Sequence, residues 1–302
     1  MLGGRLNRNM RMYNAPISYP YGTWNLSPMN IPDLIAWYDF TDRSTQWQER
    51  DSFTTQVVSN SDPIGRIKNK ATGSHRLGNF LAASSDGDRP TWQSGYARFD
   101  GSNDHLFGKG QGNTGGVDGN NSGFFSDAEI DPHNMSIFAI IHSDASTISS
   151  DEIICSINGF SKNDNDEHIG IALKHESTTD DPCLVIDYES ETNEEINWNT
   201  NMSTDVQYVG VTAASGTNQV AMFLDNGTDG SGTITNSGGR VLEFIHANNG
   251  FCIGEATTGS TGTVGLMNYN GDIGEILIYN RTLNKSERIE VERYLNDKYS
   301  IW

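Results

Sequence analysis

Short apolar runs separated by turn residues recur along most of this chain, and that rhythm admits few folds. Met135–Ser143 (MSIFAIIHS) is the clearest of them and reads as a buried strand. Around it stand Asp33–Phe40, Asp151–Ile157, His168–Glu176, Cys183–Glu189, Val206–Ala214 and Gln219–Asn226. Arg240–Ala247, Phe251–Ala256 and Gly271–Asn280 follow. Each is of strand length, rich in aliphatic or aromatic residues and bounded by Gly, Asn, Asp or Ser. Tyr96–Gly108 reads as two strands hinged at Asp100-Gly101, a preferred turn dipeptide. The 32 glycines against 8 prolines supply turns without interrupting ladders. The predicted class is all-β, with two sheets packed face to face. Residues 41–95 read mostly as loop around one amphipathic piece, Gly65–Gly73, and 109–123 as a long Gly/Asn loop.

One helix is predicted, over 284–298. Asn284 stands where a cap belongs and Glu287 follows three residues later, a capping-box arrangement. Val291, Tyr294, Leu295 and Lys298 fall at i, i+3, i+4 and i+7, with Ile289 and Tyr299 beside them. One stripe on an otherwise charged helix is built to lie on a sheet.

Charge is unevenly spread. The chain of 302 residues carries a formal −19, which argues against phosphate recognition by its body. Residues 1–32 hold Arg5, Arg8 and Arg11 and no acid, a local +3; the remainder carries −22. That basic segment also contains Met12, Tyr13, Tyr19, Tyr21 and Trp24, too much apolar surface for a solvated tail. It reads as an extended anchoring arm, 1–32, ahead of a single domain, 33–302. Its arginines and asparagines interrupt any secretory apolar core, and no run is long enough to span a membrane. Cys155, Cys183 and Cys252 lie in apolar strand runs without paired spacing, so buried free thiols and synthesis in a reducing cytoplasm are expected.

Several stretches resemble the concanavalin A-like, laminin-G-type jelly rolls in the form found in bacterial and phage surface proteins. LIAWYDFTDRST (Leu34–Thr45) is similar to their opening strand, and DRPTW (Asp88–Trp92) with ARFDGSNDHL (Ala97–Leu106) to a strand pair. FCIG and the run from Gly271 onward are similar to the closing strands and helix; within GRIKNKATG, Asn69 and Ala71 depart from the pattern. The resemblance implies a concanavalin A-like jelly-roll β-sandwich over 33–302. Function on such a fold must be argued from a site.

Catalytic motifs are sparse. Related glycosidases set two or three carboxylates along one strand; the nearest string, Glu129-Ile130-Asp131, is followed by Pro132, which interrupts a central strand. No HExxH, GxSxG or P-loop is present, and the cluster Glu189, Glu191, Glu194 and Glu195 reads as a solvated loop. Calcium is the cofactor the resemblance implies, with Asp100, Asn103 and Asp104 and also Asp225, Asn226 and Asp229 as oxygen ligands; the alternative is Asx turns. Trp47, Trp92 and Trp198 lie in polar contexts and are candidates for a glycan platform or for capping the core.

The expectation is a non-catalytic virion structural protein, a phage head decoration or a tail or fibre component made in the host cytoplasm. Its arm docks onto other virion proteins in a homo-oligomeric or larger assembly, and its jelly roll touches host-surface polysaccharide. A free calcium-assisted lectin-like carbohydrate-binding protein is the alternative, and a glycan hydrolase or lyase the third reading. Neither nucleic acid nor membrane insertion is expected.

Overall fold

The computed structural model describes residues 27–72, 77, 79–109, 130–157, 169–188, 194–214, 220–225, 227–234, 250–258 and 263–302. In chain order the strands are β1 (Leu34–Asp39), β2 (Gln46–Trp47), β3 (Arg66–Lys68), β4 (Phe80–Ala82), β5 (Thr91–Gln93), β6 (Tyr96–Asp100), β7 (Leu106–Lys109) and β8 (Asn134–Ser143). They continue as β9 (Glu152–Ile157), β10 (Ile169–His175), β11 (Pro182–Tyr188), β12 (Glu194–Asn197), β13 (Gln207–Ala214), β14 (Val220–Leu224) and β15 (Gly227–Gly232). The last are β16 (Gly250–Ile253), β17 (Ala256–Thr258), β18 (Thr263–Leu266) and β19 (Asn270–Tyr279), before the helix α1 (Lys285–Tyr299).

Two antiparallel sheets form. Sheet I runs β15-β14-β13-β8-β19-β6-β5, with β1 also alongside β19. Sheet II runs β12-β11-β10-β9-β16-β7-β4-β3-β2, and β17 and β18 make a separate ribbon. This is the jelly-roll β-sandwich expected from the sequence. Crossing between non-consecutive neighbours, such as β8 beside β19, is what gives the sandwich its long-range closure.

Strand β8 explains why MSIFAIIHS reads as an unbroken apolar run. Met135, Ile137, Ala139 and Ile141 enter the core between the sheets. Phe138 and Ile140 face the other way, into a second apolar layer under the helix. A strand buried on both faces loses its alternation. Val291 and Leu295 of α1 complete that second layer with Trp37, Leu277 and Tyr279. Asn284 Oδ1 accepts from the Ser286 and Glu287 amides, and Glu287 Oε2 accepts from the Asn284 amide at 3.0 Å, so the predicted capping box forms. Ser27–Pro32 belongs to this layer as well: Ile31 is buried in it, and Tyr279 Oη donates to Pro28 O at 3.3 Å.

The helix also closes sheet I with charge. Glu275 is fully buried and accepts from Trp37 Nε1 (2.6 Å), Tyr294 Oη (2.8 Å), Lys298 Nζ (2.7 Å) and Tyr299 Oη (3.2 Å). Lys298 reaches Asp39 at 2.6 Å, and Lys70 reaches the same carboxylate at 2.8 Å. Much of the outer face of sheet I is therefore occupied by the protein's own C-terminus.

Several local expectations differ from the structure. Four short strands, β2 to β5, lie in the stretch read mostly as loop; at two or three residues each they carry no measurable periodicity. Glu194 and Glu195 sit on β12 rather than in a loop, with Glu195 taking a 3.2 Å contact from Lys174. Asp229 falls on β15, although DNGTDGSG reads as a turn. Arg240–Ala247 lies outside the described residues. All three cysteines are free and buried, and burial pushes the thiols of Cys155 and Cys183 up to about 12, so they pack as inert apolar groups. Among the described residues no helix is long and apolar enough to cross a membrane.

Candidate functional site

The three candidate tryptophans part company. Trp198 is 2% exposed, belongs to the main core and donates Nε1 to Phe223 O at 3.0 Å. It is a core residue and presents no platform. Trp92 packs against the same core from the edge and donates to Phe40 O at 2.8 Å, with the Arg43 guanidinium 5.1 Å above its ring. Its indole is already committed on both counts. Trp47 alone of the three lies on the outer face of sheet II.

That placement follows from strand pairing. Gln46 pairs with the core residue Ile67, so Trp47 and its partner Arg66 point outward. Arg66 in turn pairs with Ala82, and Lys68 with Phe80. Trp47, Arg66 and Ala82 thus form one row across β2, β3 and β4, and Phe80 stands on the same face two residues along, opposite Lys68. Phe53, from the loop after β2, packs edge-on against Trp47 at 4.9 Å and against Phe80 at 4.8 Å. The Arg66 guanidinium sits 4.3 Å from the Phe53 centroid and 5.8 Å from that of Phe80. Phe53 is 42% exposed, an unusual exposure for a phenylalanine held in a cluster. Arg66 Nε donates to Arg50 O at 3.1 Å, which ties the cluster to the loop carrying Phe53.

A second group lies on the same face. Leu81 and Ala83 face the core, so Phe80, Ala82 and Ser84 alternate outward along one chain segment. Ala82 pairs with Phe107, and continuing that antiparallel register sets Ser84 opposite His105. Ser84 Oγ lies 2.5 Å from His105 Nε2. On the far side of the ring, Nδ1 lies 2.9 Å from Asn103 O and 3.0 Å from Glu255 Oε2. A carbonyl can only accept, so Nδ1 carries the proton; in the neutral ring Nε2 then accepts from the Ser84 hydroxyl. Glu255 is 1% exposed, and neither of its carboxylate oxygens makes a hydrogen bond among the described residues. It stands 3.0 Å behind Nδ1, on the side of the ring away from Ser84. Ser84 itself is exposed, and its carbonyl accepts from Arg50 Nη1 at 2.7 Å.

Glu255 reaches this place because of Gly254. The glycine has φ +87°, which turns the chain after β16, while its amide donates to Ile154 O and its carbonyl accepts from Tyr269. Ser156 Oγ holds the Glu255 carbonyl at 3.0 Å. Sequence reasoning passed over Ser84, His105 and Glu255, since no local motif joins them; the alternation from Phe80 to Ser84 was the one available signal.

The predicted metal ligands do not assemble. Asp100 Oδ1 accepts from the Ser102 and Asn103 amides, an Asx turn, and Asn103 Nδ2 donates to Gly87 O and Asp88 Oδ1, both at 3.1 Å. Asp104 Oδ2 accepts from the Asp100 amide at 3.0 Å. Asp225 Oδ1 accepts from the Tyr208 amide, and Asp229 from the amide and hydroxyl of Thr200. Asn226 lies outside the described residues. Among the described residues no group of three His, Cys, Asp or Glu side chains converges on one point. Asp100 and Asp104 thus serve their own turn, whereas Asp225 and Asp229 tie their segment to Tyr208 and Thr200. Asp131 likewise accepts from the His133 amide. The arm residues Arg5, Arg8, Arg11, Met12, Tyr13, Tyr19, Tyr21 and Trp24 lie outside the described residues.

Asp104 carries a testable consequence. Burial, and then the charge of Asp100, push its carboxyl up to about 6. A folded-state value above the unfolded one means that the folded protein holds an extra proton between about pH 4 and 6, so stability falls as pH rises through that window. Asp104→Asn removes the penalty and keeps an acceptor for the Asp100 amide. Thermal unfolding should show the variant more stable by about 1–2 kcal/mol at pH 8 and no more stable at pH 4. An equal shift at both pH values would show that the charge is not the cause.

No family model matches the chain, and no curated protein matches it. Solved structures do. The sialidase of Trypanosoma rangeli in complex with sialic acid aligns at 12% identity and a TM-score of 0.50, covering 90% of this chain and 34% of that one. The native heptameric SAP-like pentraxin from Limulus polyphemus aligns at 13% identity and 0.42, covering 64% and 78%. The CBM40 of the Ruminococcus gnavus IT-sialidase, bound to α2,3 sialyllactose, aligns at 13% and 0.40, covering 53% and 82%. This chain spans about a third of the trypanosomal sialidase. The fold is concanavalin A-like. At these identities the likeness speaks to architecture alone.

Proposed function

We propose that this domain binds glycan on the outer face of sheet II, with Trp47, Phe53 and Phe80 as the stacking surface. The observation that carries the reading is the preassembled ring cluster, with Phe53 exposed and Trp47 and Phe80 half-buried, held in place by the buried Arg66 and by the β2–β3–β4 register. Sugar rings present axial C–H groups that pack on aromatic surface, while their hydroxyls need polar neighbours. Lys68 is exposed in register with Phe80, and the Trp47 indole N–H has no partner among the described residues. The reading does not call on calcium, because the ring cluster that carries it contains no carboxylate.

A glycan array probed with the full chain should yield a ligand whose binding survives a chelator. Phe53→Ala and Trp47→Ala should each weaken it roughly tenfold or more, the loss of one ring from a stacking contact. Retention of full affinity in both variants would refute the site.

The composition of residues 1–26 favours a companion reading of the setting. Arg5, Arg8 and Arg11 stand among aromatics with no acid nearby, beside a strongly acidic body. Such an arm suits docking onto a particle, a phage virion among them, with the domain displayed outward. A chain lacking residues 1–26 should fold and bind glycan but fail to join its assembly.

A further inference from the structure

We propose that Ser84, His105 and Glu255 form a nucleophile–base–acid triad, and that the domain hydrolyses acyl esters carried on a glycan. The substrate class rests on the glycan-binding reading above; the triad does not.

The geometry has the parts that nucleophilic catalysis requires. Ser84 is an exposed residue, and its hydroxyl lies 2.5 Å from the imidazole nitrogen that accepts its proton. Asn103 O fixes the tautomer from the other side of the ring. Glu255, buried and without a hydrogen bond among the described residues, faces Nδ1 at 3.0 Å. That is the place the acid of a nucleophile–base–acid triad takes, on the side of the ring away from the hydroxyl. Arg50, donating to the carbonyl of Ser84 itself, sets a cation beside the nucleophile where an oxyanion develops. Glu255 lies behind His105 and cannot touch a substrate, so the group is suited to acyl transfer and not to two-carboxylate glycoside cleavage.

Ser84 Oγ attacks the ester carbonyl carbon as its proton passes to His105 Nε2. The tetrahedral intermediate collapses, the carbon–oxygen bond to the sugar breaks, and the sugar oxygen takes the proton from Nε2. Water then attacks the acyl-serine with His105 again as base; the acid leaves and Ser84 regains its proton. Ester and water become alcohol and acid, with no other reactant. Phe80 lies four residues from Ser84 on the same face, at most about 13 Å away along the chain, so an oligosaccharide stacked on the rings brings a neighbouring substituent to the hydroxyl.

The test uses the purified full chain, a fluorophosphonate probe and p-nitrophenyl acetate, none of which involves a glycan. The expected results are a covalent adduct mapped to Ser84 by mass spectrometry and hydrolysis that falls about 100-fold or more in Ser84→Ala, a variant whose cooperative thermal unfolding shows that it is still folded. Glu255→Gln should lower kcat/KM at least about tenfold and displace the acid limb of its pH profile, where the base must lose its proton, which a merely structural role would not do. Acetate release from an O-acetylated polysaccharide should fall in Ser84→Ala and also in Trp47→Ala. Absence of an adduct, together with equal hydrolysis by wild type and Ser84→Ala, would overturn the triad while leaving glycan binding to stand on its own array. An adduct with no acetate released from any acetylated polysaccharide would overturn the substrate class.

Discussion

Lys298→Met is expected to destabilise the domain by about 3–5 kcal/mol, because it leaves two buried carboxylates facing one remaining cation. Glu275 is fully buried, and Lys298 is the cation that contacts both it and Asp39. For a domain of this size the melting temperature should drop by roughly 8–15 °C. The pH dependence separates charge from packing. Burial, and then the charge of Asp39, push the Glu275 carboxyl up. A raised folded-state value favours the protonated form, so stability is lost as pH rises from the unfolded value through the folded one. Without Lys298 that loss deepens, and the deficit of the variant should be largest near pH 7.5 and shrink toward pH 4.5. Asp39 runs the opposite way: burial works against its charge, but Lys298 and Lys70 outweigh it and hold the carboxyl below the usual range. Its contribution is present above about pH 4 and lost below. Lys298→Met with Glu275→Gln should recover at least about 2 kcal/mol, since a neutral amide still meets the two tyrosines. A melting temperature for Lys298→Met within 2–3 °C of wild type at pH 7.5 would reject the account.

Gly254→Ala is expected to cost at least about 3 kcal/mol and to dismantle the His105–Glu255 pair. At φ +87° any side chain is strained, and a Cβ there would stand 2.4 Å from two ring atoms of Phe99 and 3.0 Å from Asp104 O. Phe99 is fully buried in the main core and has nowhere to retreat. The same turn delivers Glu255 to the imidazole, so thermal unfolding and labelling of Ser84 by the fluorophosphonate should fail together. A stable variant that still labels at Ser84 would show that the turn is not what positions the acid.

The chain's readable parts were those whose causes are local or repeat along one strand. Asn284 and Glu287 cap their helix with their own neighbours, and β8 and β19 announce burial through unbroken apolar runs. Trp198 misled because Asn197 and Asn199 flank it; taken two residues at a time, Ile196 and Trp198 share the core face and the asparagines do not. Lys298 sat on the helix stripe, yet nothing local revealed that a buried carboxylate awaited it. The loop carboxylates looked like ligands because hydrogen bonding to a turn and to a cation call for the same residues.

The sequence by itself determined an all-β sandwich with one capped helix at its end, since strand periodicity, turn residues and helix caps act over a few positions. The two groups on sheet II were decided only by tertiary structure. Strands β2, β3 and β4 are too short to announce themselves, and Trp47, Phe53 and Phe80 meet only once those strands pair. Ser84, His105 and Glu255 come from three separate segments, brought together by the β4–β7–β16 register and the left-handed turn at Gly254. Pairing between distant strands depends on the whole pattern of burial, and no stretch of neighbouring residues encodes it.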